Sequence, residues 1–181
     1  MGNALASPPS VNPQADGTFA IEGVAPGSYQ FGAAFQTDVN RQWWLRSAML
    51  DDRDLLDEPL IVRLEDLSGI VVTYTDRRTE LTGVLQNAGG LPAPEYFVVA
   101  FPADRGLWQS GSRRFKSARP ATDGRFTMMD VPAGSYLLAA LTDFEAADFE
   151  DREFLEELAK QSIPITVPAG ERTMQDVRIA Q

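Results

Sequence analysis

The stretch Asp16–Tyr29, DGTFAIEGVAPGSY, returns as Asp123–Tyr136, DGRFTMMDVPAGSY. Aligned without a gap, the copies share Asp, Gly, Phe, Val, Gly, Ser and Tyr. Each shared residue has a physical role. Asp-Gly sets a tight turn, because glycine takes positive φ and the Asp carboxylate accepts from nearby backbone. Phe19 and Phe126 then point inward, and Ile21 and Met128 follow at the two-residue step of a strand with one buried face. A second turn comes at Pro26-Gly27, or at Pro132 to Gly134. Tyr29 and Tyr136 open the next strand, with the hydroxyl able to reach backbone as at a sandwich corner. The phrase is a turn-and-corner device. It rests on Asp16, Gly17, Phe19, Gly27 and Tyr29 in one copy and on Asp123, Gly124, Phe126, Gly134 and Tyr136 in the other.

Outward from the phrase, turn signals recur at Asn87 to Gly90, Pro102 and Pro168 to Gly170. Short apolar or alternating runs lie between them: TFAIEGV, SYQFGAAF, PLIVRL, GIVVTYT, ELTGVLQ, YFVVAFPA, RFTMMDV, SYLLAAL, IPITV and MQDVRIA. Strands at this spacing predict an all-β chain built as antiparallel sandwiches. The copies start 107 residues apart, too far for a solenoid repeat and about one small sandwich. Two tandem units follow: a flexible leader over 1–15, a partial sandwich over 16–76 and a complete one over 77–181, meeting at Asp76 to Thr79. One segment departs from the strand pattern. DFEDREFLEELAKQ, from Asp148, spaces Phe149, Phe154, Leu155 and Leu158 helically among acids. It predicts a surface helix over about 149–161, with Asp148 or Asp151 near its N-cap.

The opening strand at Leu81 to Gln86, the Asn87 to Pro92 hairpin, the Asp123-Gly124-x-Phe126 turn and the Pro132 to Tyr136 corner together resemble the carboxypeptidase regulatory-like domain. That is a transthyretin-like or Ig-like seven-stranded sandwich of bacterial envelope proteins. The likeness covers 79–181 well and, in the first unit, only the later elements from Asp16 to about Thr75. The resemblance implies a non-catalytic module and carries no catalytic residue over. It also implies an extracytoplasmic location, in the periplasm or cell envelope. A family member opens with a strand pair before its Asp-Gly turn. The stretch ahead of Asp16 is too short for one, so the first unit is expected to lack its opening strands. An unpaired edge invites strand addition, and a partner chain is expected there.

Composition narrows the chemistry. The chain has 181 residues, a net charge of −10, and neither cysteine nor histidine. The acidic balance argues against nucleic acid and anionic membrane surfaces as partners. Without Cys or His there are no thiolate nucleophiles, no Ser–His triads and no Cys-ligated zinc sites. Only two lysines are present, Lys116 and Lys160, and neither completes a Ser-x-x-Lys motif. No stretch reaches membrane-span length, residues 1–15 are not a secretory signal, and no cofactor motif appears. Gly2 and Ser7 match an N-myristoylation pattern loosely.

The remaining candidates each admit two readings. Asp51, Asp52, Asp54, Asp57 and Glu58 could gather calcium or form a solvated loop. The eight acids between Asp143 and Glu157 could pair for glycoside hydrolysis or solvate a helix face. Trp43, Trp44 and Trp108 could stack a sugar or pack against another unit or partner. Arg105, Arg113, Arg114, Lys116 and Arg119 form a basic island around Phe115, with no acid among residues 105–118. It could pair with the chain's own acids or dock an acidic partner. Partner-binding candidates are therefore Trp43, Trp44, Trp108, Arg113, Arg114, Phe115 and Lys116. The expected role is a protein-interaction or scaffold subunit of a membrane-associated complex, with carbohydrate binding as the alternative.

Overall fold

The computed structural model describes residues 9–34 and 43–179. Gly2, Ser7 and most of the expected leader lie outside them, as does the end of the SYQFGAAF run. Among the described residues the fold is mostly strands, with a single α-helix and two short 3₁₀ turns.

The C-terminal region holds the core. One sheet runs β11 (Ile163–Val167), β10 (Gly134–Leu141), β7 (Phe97–Pro102), β8 (Lys116–Ala118), all antiparallel. The facing sheet centres on β6 (Glu80–Gln86), which pairs antiparallel with β9 (Arg125–Met129). On its other edge β6 pairs parallel with β12 (Arg172–Met174) and β13 (Val177–Arg178), a detail that strand spacing does not announce. Leu81, Leu85, Phe126, Met128 and Val177 from this sheet meet Val98, Ala100, Tyr136, Leu138, Ile165 and Val167 from the other, forming one buried cluster. Alternate residues turn inward along β6 and β9, as one-sided burial requires.

Gly83 shows how tightly the second sheet is drawn. A Cβ there would stand 1.9 Å from the Gln175 carbonyl oxygen and 2.9 Å from the Phe126 ring, so no larger residue fits. The chain between β12 and β13 bends over this glycine: Gln175 donates to the Thr82 carbonyl at 2.8 Å, and the Asp176 carboxylate accepts from Val84 N–H at 2.9 Å.

The strand β7 is buried on both faces, because α1 (Arg152–Lys160) covers the outer side of its sheet. Leu155 and Leu158 cluster with Val99, Phe101 and Ala139. Asp151 caps the helix, its carboxylate accepting from the N–H groups of Glu153 and Phe154 at 2.9 and 3.1 Å. The expected helix is thus shorter at its start: Ala146–Glu150 forms a 3₁₀ turn.

The N-terminal region is thinner. β1 (Gly27–Tyr29) pairs with β4 (Leu60–Val62). β2 (Trp44–Leu50), β3 (Arg53–Asp54) and β5 (Val71–Thr75) make a three-stranded antiparallel sheet. Among the described residues only Ala48 and Leu55 are buried hydrophobics there, and neither belongs to the two hydrophobic clusters. Two expectations need correction. TFAIEGV forms no strand, because nothing described pairs with residues 18–22. Trp44–Leu50, absent from the runs that the strand spacing singled out, is a strand held by β5.

The doubled phrase nevertheless folds alike twice. Thr18 N–H bonds the Asp16 carboxylate at 3.0 Å, and Arg125 N–H bonds that of Asp123 at 3.1 Å. Gly17 and Gly124 take φ of 85° and 79°. Gln14 and Ala121 each donate to the carbonyl four residues on, at 2.8 Å. Tyr29 donates to the Ala25 carbonyl at 2.8 Å and Tyr136 to that of Pro132 at 2.6 Å. The register of the following strand repeats too: Gly27, Ser28 and Tyr29 face Val62, Ile61 and Leu60, as Gly134, Ser135 and Tyr136 face Val167, Thr166 and Ile165.

Candidate functional site: a charged junction beside an aromatic face

The loop between β2 and β4 carries Asp54 and Asp57; the segment before β8 carries Arg113 and Arg114. They meet. Arg113 donates from Nε to Asp57 Oδ1 at 2.9 Å and from Nη2 to Asp54 Oδ2 at 2.8 Å. Arg114 Nη2 reaches Asp57 Oδ2 at 2.7 Å. Arg113 also bonds the Arg46 carbonyl on β2 at 3.2 Å. The Arg113 and Arg114 side chains are 26% and 13% exposed and that of Asp57 4%, so the network is largely shielded from water.

Burial alone would push the Asp57 carboxyl up. The hydrogen bonds and charges of Arg113 and Arg114 outweigh it and hold the group below its ordinary 3.8. Arg114 continues inward, donating from Nη1 to the Ala133 carbonyl at 3.0 Å and to the Tyr136 hydroxyl at 3.4 Å. Burial pushes the Tyr136 phenol up to about 12, with Arg114 opposing. The junction is therefore anchored on the tyrosine corner of the second phrase. Lys116, on β8, is half-buried and pushed down, first by burial, with Arg113 adding to it and Asp130 opposing.

A second contact lies nearby. Arg78 packs over the Trp44 ring at 4.5 Å and pairs with Asp130 at 3.2 Å. Asp130 takes φ of 54°, as Gly23 takes 70° at the matching place in the first phrase.

The aromatic face is separate. Trp108 donates its indole N–H to the Pro102 carbonyl at 2.8 Å and leans on Phe101 at 5.9 Å. The guanidinium groups of Arg105 and Arg152 each lie 5.7 Å from its ring. Phe115 stacks on Phe149 at 4.6 Å, and Phe144 leans on Phe149 at 4.7 Å. Together with Ser110, Ser112 and Glu150 these phenylalanines line an open hollow of about 350 Å³.

The sequence candidates thus divide. Arg113 and Arg114 pair with the chain's own Asp54 and Asp57, one of the two readings the sequence left open. Lys116 lies beside them. Phe115 and Trp108 belong to the helix-covered face, Trp44 is stacked by Arg78, and Trp43 is half-buried beside it in sequence. The three tryptophans do not gather on one surface element. Of the acidic loop, Asp54 and Asp57 serve the junction, and Glu58 pairs with Arg53 at 2.7 Å. Asp54 Oδ1 also accepts from Ala48 and Leu56 N–H, both at 3.1 Å. Among the described residues no group of three or more acids could hold a metal ion. The keystone role of Asp57 is what sequence reading missed. Its signal was an acidic loop and a basic island in one chain, without the fold that joins them.

No family model matches the chain, and no curated protein matches it. Partial likenesses exist among solved structures. The Bacillus cereus major pilin subunit BcpA aligns at 10% identity and a TM-score of 0.40, over 61% of this chain and 31% of that one. The minor pilin GBS52 of Streptococcus agalactiae aligns at 10% and 0.36, over 67% and 59%. A dioxygenase domain from Streptomyces sp. SirexAA-E aligns at 14% and 0.36, over 57% and 79%. The chain covers less than a third of the Bacillus pilin's length. At such scores these likenesses carry no functional argument.

Proposed function

We propose that the chain is a non-catalytic protein–protein interaction module, an extracytoplasmic accessory subunit of a larger membrane-associated bacterial complex. In this reading residues 16–76 are a partial sandwich and 77–181 a complete carboxypeptidase regulatory-like sandwich, joined at Asp76 to Thr79. The location rests on the sequence resemblance. Among the described residues no helix is long and apolar enough to cross a membrane.

One observation carries the interaction reading. Of the large hydrophobics left exposed, all but Leu91 and Met174 lie before Asp76: Val11, Ile21, Ile61, Leu64, Leu67 and Val71. The core-bearing region hides its apolar residues and the thin region displays them, and apolar side chains left in water gain by association. Gently solubilised envelope membranes from the source organism, probed with a photo-crosslinker at Val71 or Leu64, should give a discrete heteromeric adduct. A control crosslinker at Met174 should not. The chain recovered solely as a soluble monomer, with no adduct, would overturn the reading.

A further inference from the structure

The second phrase shows what sits against such a turn when its unit is complete. There β6 runs antiparallel to Arg125–Met129, with Gly83 opposite Phe126, Leu81 opposite Met128 and Glu80 opposite Met129. Leu85 N–H bonds the Gly124 carbonyl at 2.8 Å, and a Cβ on Gly124 would meet the Leu85 oxygen at 2.6 Å. In the first phrase the turn is the same, yet a Cβ on Gly17 would meet nothing within 4 Å. Residues 18–22 pair with no described residue. Ile21, the counterpart of buried Met128, is 38% exposed.

The other border agrees. In the second copy the segment after β11 supplies β12 and β13 to the far edge of β6. The segment after β4 follows in the same chain order in the first copy, and there Leu64 is 93% exposed. A second strand position is open as well. β10 pairs with both β11 and β7, whereas β1 pairs only with β4 among the described residues. Among the described residues the unpaired place has the shape of a two-strand segment such as β6–β7, whose strands enter facing sheets.

Charge narrows the occupant. Glu22 stands where Met129 faces the first residue of β6, and Glu65-Asp66 follow β4. Glu22 makes the end of the stretch acidic, so the entering strand begins with a base.

We propose that the N-terminal region accepts a two-strand segment from a partner polypeptide, one strand for each of its facing edges. Its first strand runs antiparallel to Thr18–Glu22, with glycine opposite Phe19, leucine-sized residues two places either side and lysine or arginine opposite Glu22. Main-chain bonds supply the affinity and the alternate side chains the choice of partner, as in strand addition generally. The proposal rests on the interaction reading and names its site.

The test uses the whole chain and a synthetic peptide of residues 79–103 carrying Glu80→Lys. A control peptide also carries Gly83→Val. Saturable binding is expected by fluorescence anisotropy, with exchange of the Phe19 and Ile21 amides slowed about tenfold or more and those of Phe126 and Met128 unchanged. The control peptide should bind at least about tenfold more weakly, because its side chain meets Phe19. The same segment linked ahead of the N-terminus by a Gly-Ser spacer should protect the same amides, without depending on peptide solubility. Unchanged exchange in both formats, or equal binding by the control, overturns the proposal. Protection of 18–22 in the chain alone, accompanied by dimer formation, assigns the site to a second copy and also overturns it. A heteromeric crosslink from membranes alongside unprotected 18–22 would sink this site and leave the interaction reading standing.

Discussion

Thr18–Glu22 and Arg125–Met129 follow near-identical turns, and only the second stretch is a strand. Both turns share the Asx bond, the positive-φ glycine and the tyrosine hydroxyl bonded four residues back. These are local interactions, and they form wherever the residues occur. Strand character and burial are not local. Phe126 and Tyr136 are buried because β6 and β7 lie against them; Phe19 and Tyr29 are half-exposed. The turn is encoded in the phrase, while burial is supplied by a neighbour far away in sequence. The connection downstream diverges too: between the Tyr strand and its partner lies α1 in one copy and β2 in the other.

The comparison can be broken most sharply at the phenylalanines. Phe126→Ala should cost about 3–5 kcal/mol in urea unfolding, as a large side chain removed from a packed core does. Phe19→Ala should cost under about 1 kcal/mol, as at a surface position. Equal costs would mean that both copies are packed.

Next in size is the junction. Asp57→Asn leaves Arg113 and Arg114 without their counter-charge in a shielded place and should cost about 3 kcal/mol. Because the folded Asp57 pKa lies below the unfolded value, its contribution is complete above that value. It is lost as pH falls through the folded one. Acid titration of stability should therefore show a shallower acid limb in Asp57→Asn than in the parent chain.

The turn glycines give a similar contrast. Gly124→Ala adds a clash with the Leu85 carbonyl to the positive-φ strain and should cost about 3 kcal/mol. Gly17→Ala carries the φ strain alone, about 1 kcal/mol. The smallest contrast lies at the tyrosines. Tyr136→Phe strands a carbonyl in a shielded corner, about 1.5 kcal/mol, and Tyr29→Phe about 0.5 kcal/mol, both read from thermal melts.

Much of the C-terminal fold was legible because its elements advertise themselves. Alternation along ELTGVLQ and RFTMM, the Asn87 to Gly90 turn and the helical spacing of Leu155 and Leu158 each encode one element locally. What escaped notice depended on distance. The short strand Lys116–Ala118 hid inside the basic island, since its pairing with β7 sets its conformation. Trp44–Leu50 was not legible as a strand because its partner β5 lies beyond two loops. TFAIEGV read as a strand from its pattern and is not one, because no described strand pairs with it. The basic island and the acidic loop were both visible, but the Asp57 pairings join residues 56 and 57 positions apart.

Amide hydrogen exchange on the whole chain tests the central claim most directly. If the phrase fixes only its turn, the Phe19 and Ile21 amides exchange close to the rate of unstructured chain. The Phe126 and Met128 amides, which face β6, should then be protected to near the global unfolding limit. Comparable protection in the two copies would contradict the account.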